Sequence, residues 1–270
     1  MRGLLPLDDD RWALLAAAEA KPEAVVKVLR QIGAMARWDE AALLPSPDEP
    51  WQRLQELVYS QGDVQTSAYA VVGHLLAMAA DRPVNDKQVA IGYAMLLLVC
   101  ALPGASELPN WLESSVLAAL PEVAAMSKHC LSDSSLSSFS VDELLGAYLF
   151  ATGHVIEGIA LTWICLESCI FGRCGGCARW NVLDWEDGVW SGDDTTDIHI
   201  DRGGHGGIDV IELLPTDLQV KAGPRARDLG QLEAVTCRAC NSTESIRESV
   251  GRAVRDRVPV AALLSSATRG

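Results

Sequence analysis

The chain has 270 residues, 49% hydrophobic and 21% charged, a balance that fits a soluble globular protein with one sizeable core or two smaller ones. Its formal charge of −14 argues against general nucleic-acid binding, which needs a basic face to neutralise phosphate, and suits a basic protein partner. Met1 to Leu7, followed by Asp8, Asp9 and Asp10, is too short an apolar run for a secretion signal. The most apolar run, Val89 to Leu102, is 14 residues, against the ~20 of a membrane-spanning helix. A cytoplasmic protein without membrane association is expected, and in that reducing compartment paired cysteines point to metal rather than disulfides.

From Asp10 to Trp180 the apolar spacing is helical. Asp8 to Asp10 are placed to cap a first helix carrying Trp12, Leu14, Leu15 and Ala18. Pro22 opens a second, with Val25, Val26, Leu29, Ile32 and Met35 on one stripe, and the two should form a hairpin. Leu43 to Pro50 reads as a loop. A helix from Trp51 carries Leu54, Leu57 and Val58, Gln61-Gly62-Asp63 turns the chain, and the next helix runs to Ala80 with Ala68, Val71, Val72, Leu75, Leu76 and Ala79 in register. Asn85 caps the apolar helix around Val89. Asn110 and Glu113 have capping-box spacing and open a helix that Pro121 should kink or split. After a serine-rich loop from Ser132 to Ser140, a second capping box, Ser140 to Glu143, opens a helix that ends at Gly153, and a further helix spans His154 to Ile170.

Beyond this point the texture changes. Trp180 to Trp185 and Ile208 to Leu214 read as strands, rich in β-branched or aromatic residues, and the glycine- and acid-rich Asp187 to Gly207 between them as a mobile loop. Helix returns from about Thr243. The organisation expected is a helical array over 1–170, a zinc-ribbon-like acidic insert over 171–241 and a helical tail over 242–270: a mainly α fold with a small β-containing module.

The strongest chemical signal is Cys174-Gly175-Gly176-Cys177 with its echo Cys237-Arg238-Ala239-Cys240, 59 residues apart. Each Cys-x-x-Cys forms a tight turn whose sulfurs converge, and four thiolates complete a tetrahedral zinc site with no position open for substrate. A structural zinc ion on Cys174, Cys177, Cys237 and Cys240 is therefore expected. The other reading is two unrelated thiol pairs, one of them a redox dithiol, but a redox Cys-x-x-Cys opens a helix after a strand, whereas Cys174 follows a helical stretch. Cys165 and Cys169 are candidate extra ligands but fit better as small buried residues, as do Cys100 and Cys130. His74 and His154 read as helix-packing residues.

Between Ala178 and Thr236 there are 12 acids and five bases, so this segment contributes half of the net charge. From Asp184 to Asp201 acids are interleaved with Trp185 and Trp190 and no base intervenes. Trp185, Trp190, Asp193, Asp194 and Asp197 are accordingly candidate contacts for a basic protein surface, combining an aromatic anchor with electrostatic steering. The alternative is a solvated loop whose tryptophans pack on the ribbon.

The stretch from Trp51 to Leu54, through Gln61-Gly62-Asp63-Val64 and Ser67 to Val72, to His74-Leu75-Leu76 resembles a family of bacterial HEAT-like helical-repeat proteins of mostly unassigned function. In that family a tryptophan helix is followed by a Gln-Gly turn and a helix bearing Tyr-Ala-x-Val-Pro-His-Leu; here Gly73 stands in place of the proline. Some members carry Cys-Pro-x-Cys near the C-terminus, echoed by Cys174 to Cys177 with Gly175 for proline. The resemblance implies an α-solenoid of antiparallel helix pairs and no particular activity.

Three functions fit. The leading one is a non-catalytic protein-binding module, in its concrete form an immunity-type inhibitor of a basic bacterial toxin. The second is a metal-dependent enzyme built on His199, Asp201 and His205 in the acidic segment. The third is a zinc-ribbon transcription or translation accessory factor, using the basic residues Arg247, Arg252, Arg255 and Arg257. The sequence patterns of zinc deaminases, zinc proteases and serine hydrolases are absent.

Overall fold

The computed structural model describes residues 4–15, 17, 22–38, 49–60, 63–99, 110–133, 136–186, 189–192, 198–202, 207–237, 239–258 and 261. Over these residues the protein is mainly α-helical with small antiparallel sheets. It divides into two compact units, Met1–Met126 with Arg257–Gly270, and Ser127–Asp256.

The first unit starts with a five-residue 3-10 helix at Asp10–Leu14 where a longer helix was expected. Asp9 rather than Asp8 or Asp10 caps it, accepting the Arg11 N–H. Helix α1 (Pro22–Ala34) follows, with Val25, Val26, Val28, Leu29 and Ile32 buried, so proline at the first turn and the 3–4 spacing act as the sequence suggests. Helix α2 (Pro50–Val58) packs on α1. Strands β1 (Tyr59–Ser60) and β2 (Asp63–Val64) pair antiparallel and lead into α3 (Thr66–Ala79). Helix α4 (Val84–Val99) packs on α3 and is buried on almost every side, as its unbroken apolar sequence requires. The expected loop at 43–48, the turn at Gln61 and Gly62, and Cys100 lie outside the described residues.

A polar clamp fixes the chain after α1. The buried Asp86 accepts the Trp38 N–H at 3.1 Å and pairs with Arg82 at 3.0 Å, while Arg82 also donates to the Met35 carbonyl and covers the Trp38 ring. Trp38 in turn meets Trp51 edge-on at 5.2 Å, and the Trp51 and Tyr93 rings lie tilted against each other at 4.5 Å.

Helix α5 (Asn110–Leu131) contains the boundary between the units and continues through Pro121 as one helix, so of the expected kink or split the split does not occur. Its buried stripe of Leu112, Val116, Ala119, Leu120 and Val123 outweighs the ~3 kcal/mol cost of an internal proline.

In the second unit α6 (Ser138–Ala151) is capped by Ser137, whose Oγ accepts the Ser140 N–H, so the cap lies three residues before the expected Ser140. Asp142 is instead buried and accepts the N–H groups of Gly223 and Arg225. Gly153, at φ 96°, ends α6 as expected. Helix α7 (Val155–Glu167) lies so close to α6 that a Cβ on Gly158 would fall 2.3 Å from the Phe150 nitrogen. It stops at Ser168 in the left-handed region (φ 54°), three residues short of the expected end, and Cys169 and Ile170 begin a strand.

Two three-stranded antiparallel sheets follow. The first joins β3 (Cys169–Arg173), β4 (Trp180–Glu186) and β5 (Val189–Gly192); the second joins β6 (Ile198–Arg202), β7 (Leu232–Cys237) and β8 (Ser242–Ser245). Strands β5 and β6 occupy parts of the segment expected to be a mobile loop. Conversely, Ile208 to Leu214 is not a strand. Asp209 Oδ1 accepts the N–H groups of Ile211 and Glu212 and winds the segment into turns, while Ile208, Val210 and Leu214 stay buried. Short helices α8 (Thr216–Gln219) and α9 (Pro224–Leu229) lead to β7, and α10 (Ile246–Arg257) closes the unit.

Candidate metal centre

Both Cys-x-x-Cys motifs fall at the turns of β-hairpins. Strand β3 ends at Arg173 and β4 begins at Trp180, with Arg173 opposite Trp180; β7 ends at Cys237 and β8 begins at Ser242, with those two residues paired. The two turns are built alike. The first cysteine's carbonyl accepts the N–H four residues on, at 2.9 Å from Ala178 and 2.7 Å from Asn241, and those residues share left-handed backbone at φ 59° and 57°. The first sulfur of each turn accepts the N–H groups two and three residues ahead, those of Gly176 and Cys177 at Cys174, and of Ala239 and Cys240 at Cys237. This turn presents two sulfurs on one side with backbone dipoles directed at them.

The hairpins meet sulfur to sulfur. Cys174 Sγ lies 3.5 Å from Cys240 Sγ, Cys177 Sγ lies 3.7 Å from Cys237 Sγ, and all four fall within 4.8 Å of one another. Sulfurs held tetrahedrally at about 2.3 Å from an ion are about 3.8 Å apart, so the four cysteines are spaced to hold one. None is in a disulfide. Cys174 and Cys237 are buried, whereas Cys177 and Cys240 are exposed.

The electrostatics also call for a cation. Burial raises the Cys174 thiol, but N–H donation from Cys177 and Gly176 and contact with the Cys240 and Cys177 sulfurs outweigh it and bring the pKa to about 7. Burial raises Cys237. At Cys240 the Ser242 N–H favours the thiolate, but contact with the Cys174 sulfur, burial and the other two sulfurs push the pKa up to about 12. Four sulfurs this close cannot all ionise without a counter-charge, which a bound cation would supply.

Both central positions of the first turn are closely packed, Gly176 the more constrained. A Cβ on Gly176 would sit 3.0 Å from Cys240 Sγ and from Ser242 Cβ, and one on Gly175 would sit 2.9 Å from Glu244 Oε2 and 3.1 Å from Arg252 Cζ. At Gly176 the missing side chain leaves room for Cys240 and Ser242 of the second hairpin.

The other candidate residues are placed as follows. Cys165 is buried on α7, where burial pushes its thiol well up, and Cys169 is buried in β3; among the described residues the metal-sized cluster comprises the four turn cysteines. Trp185 and Trp190 face each other across β4 and β5. Trp190 is buried, and the half-buried Trp185 donates to Asp228 at 3.1 Å and lies under the Arg225 guanidinium. Asp193, Asp194, Asp197 and His205 lie outside the described residues. His199 and Asp201 belong to β6, at register positions opposite Thr236 and Ala234. Arg247 pairs with the buried Glu157, and Arg252 with Glu244, so both carry a carboxylate partner. Sequence reasoning missed β6 to β8 as a sheet and the Glu244–Arg252 pair beside the cysteines, although Glu244, four residues after Cys240, was available as a signal.

Comparison with protein-family models, with curated proteins and with solved structures gives no match.

Proposed function

We propose that the chain is a non-catalytic protein-binding module whose cysteine centre holds zinc as a structural clamp. The observation that carries this is the closed set of four sulfurs: once they hold an ion, its tetrahedral coordination is complete and no position remains for a substrate. Packed pairs of consecutive helices, such as α3 with α4 and α6 with α7, support a HEAT-like reading of the helical part, which would present a broad surface to a partner. The charge of −14, half of it between Ala178 and Thr236, selects a basic partner in the cytoplasm. In its specific form the protein is an immunity-type inhibitor that blocks a basic toxin.

The test is affinity capture from the native host, identification of the captured protein, and titration of that protein against wild type and D193N/D194N/D197N at two salt concentrations. The expected result is a basic partner bound more weakly by the triple variant and at high salt. Equal affinities for both chains, insensitive to salt, would overturn the acidic-interface reading.

A further inference from the structure

We propose that Arg252 and Glu244 form an outer layer of the cysteine centre, with Arg252 the positioning residue that sets how slowly the ion leaves. This rests on the reading of the four cysteines as a metal site.

Three contacts carry it. Glu244, on β8 with its side chain 10% exposed, accepts the Gly175 N–H at 3.0 Å. Arg252, on α10, pairs with that carboxylate through one arm and donates from Nε to the Arg173 carbonyl at 2.8 Å. Gly175 and Arg173 are the residues on either side of Cys174, so the pair holds the ligand-bearing backbone before and after the sulfur. Its two members come from elements outside the first hairpin. A second latch lies one turn further along α10, where Asp256 pairs with Arg173, whose Nε donates to the Ala178 carbonyl across the same turn.

Two physical consequences follow. Cys174 cannot move away from the second hairpin and α10 without breaking the Gly175–Glu244 and Arg173–Arg252 contacts, so the pair holds this buried sulfur in place against ligand exchange. Four thiolates around a divalent ion also carry a net charge of about −2, and Arg252 neutralises the Glu244 carboxylate that would otherwise add to it. Partners of this kind orient ligands and typically change metal affinity by about 10–100-fold when removed. Gly175 is part of the same device, because a Cβ there would meet both members of the pair.

The experiment uses the full chain loaded with zinc, challenged with excess chelator while a chromophoric indicator reports release. R252A and E244Q should release zinc roughly 10–100-fold faster than wild type, with R252K intermediate. E248A, at an exposed position on the same helix, should match wild type. Cobalt-substituted R252A should keep the wild-type ligand-field absorption, because the four sulfurs are untouched. Wild-type release rates in both R252A and E244Q would overturn the proposal, as would equal acceleration in E248A. If R252A loses helix content, E244Q and R252K carry the test. Failure of the wild type to retain zinc would instead remove the metal reading itself.

Discussion

Cys174 Sγ lies 3.5 Å from the Sγ of Cys240, 66 residues further along the chain. Bringing such distant residues together costs loop-closure entropy, and two neutral thiols in contact offset little of it; a shared ion offsets much more. The purified protein should therefore contain a single zinc ion per chain, retained against mild chelation. C240S should lower zinc content and the stability of the Ser127–Asp256 unit, while C165A should leave zinc content unchanged, because Cys165 lies outside the sulfur cluster. Elemental analysis with thermal unfolding checks both.

Gly176 provides a separate steric test. An alanine Cβ there would press on Cys240 Sγ and Ser242 Cβ, both at 3.0 Å, tighter than ordinary van der Waals contact. G176A should fold but hold zinc more weakly, at a stability cost of roughly 1–3 kcal/mol, the usual range for overpacking. Urea unfolding with and without zinc measures it, and the penalty should be larger in the zinc-bound form.

At Gly158 the steric constraint is on helix packing. A Cβ would lie 2.3 Å from the Phe150 nitrogen and 2.6 Å from its Cα, both backbone atoms that cannot swing aside. G158A should cost roughly 3 kcal/mol or more by forcing α6 and α7 apart. A urea midpoint within error of wild type would contradict that packing. The substitution leaves the cysteine turns alone, so the zinc content of the folded fraction should be unchanged.

The helices and the four-cysteine cluster were readable in the sequence because their signals are local. Val25, Leu29 and Ile32 repeat at helical spacing, and Cys-x-x-Cys specifies its own turn. What failed depended on distant partners or on backbone competition. Ile198 to Arg202 has only two apolar residues and becomes a strand by pairing with Leu232 to Cys237, thirty or more residues on. Ile208 to Leu214 has strand composition, but one carboxylate, that of Asp209, takes two backbone N–H groups and turns it. Ser140 has capping-box spacing, yet Ser137 captures the helix start and Asp142 is used by Gly223 and Arg225 instead. Glu244 stands four residues after Cys240, but nothing local marks Arg252 as its partner, since the pair needs β8 and α10 folded against the first hairpin.

His74 gives the first unit a pH dependence of defined sign. Its Nε2 lies 2.7 Å from the Leu5 carbonyl, its ring is 5.7 Å from that of Trp12, and Trp12 Nε1 donates to the Pro6 carbonyl, so the segment from Leu5 to Trp12 is fastened to α3 through this imidazole. Burial lowers the His74 pKa below its usual value, and the hydrogen bond to Leu5 opposes this only in part. In the unfolded chain the same ring titrates near ~6.5. As pH falls below that value, the unfolded state takes up a proton that the folded state resists, and stability declines until the lower folded pKa is passed. H74Q retains a side-chain N–H that can reach the carbonyl but has no proton to gain. Comparing wild-type and H74Q urea midpoints at pH 7.5 and pH 5.5 isolates the effect: wild type should lose more stability on acidification, and parallel losses in the two chains would show that His74 does not govern it.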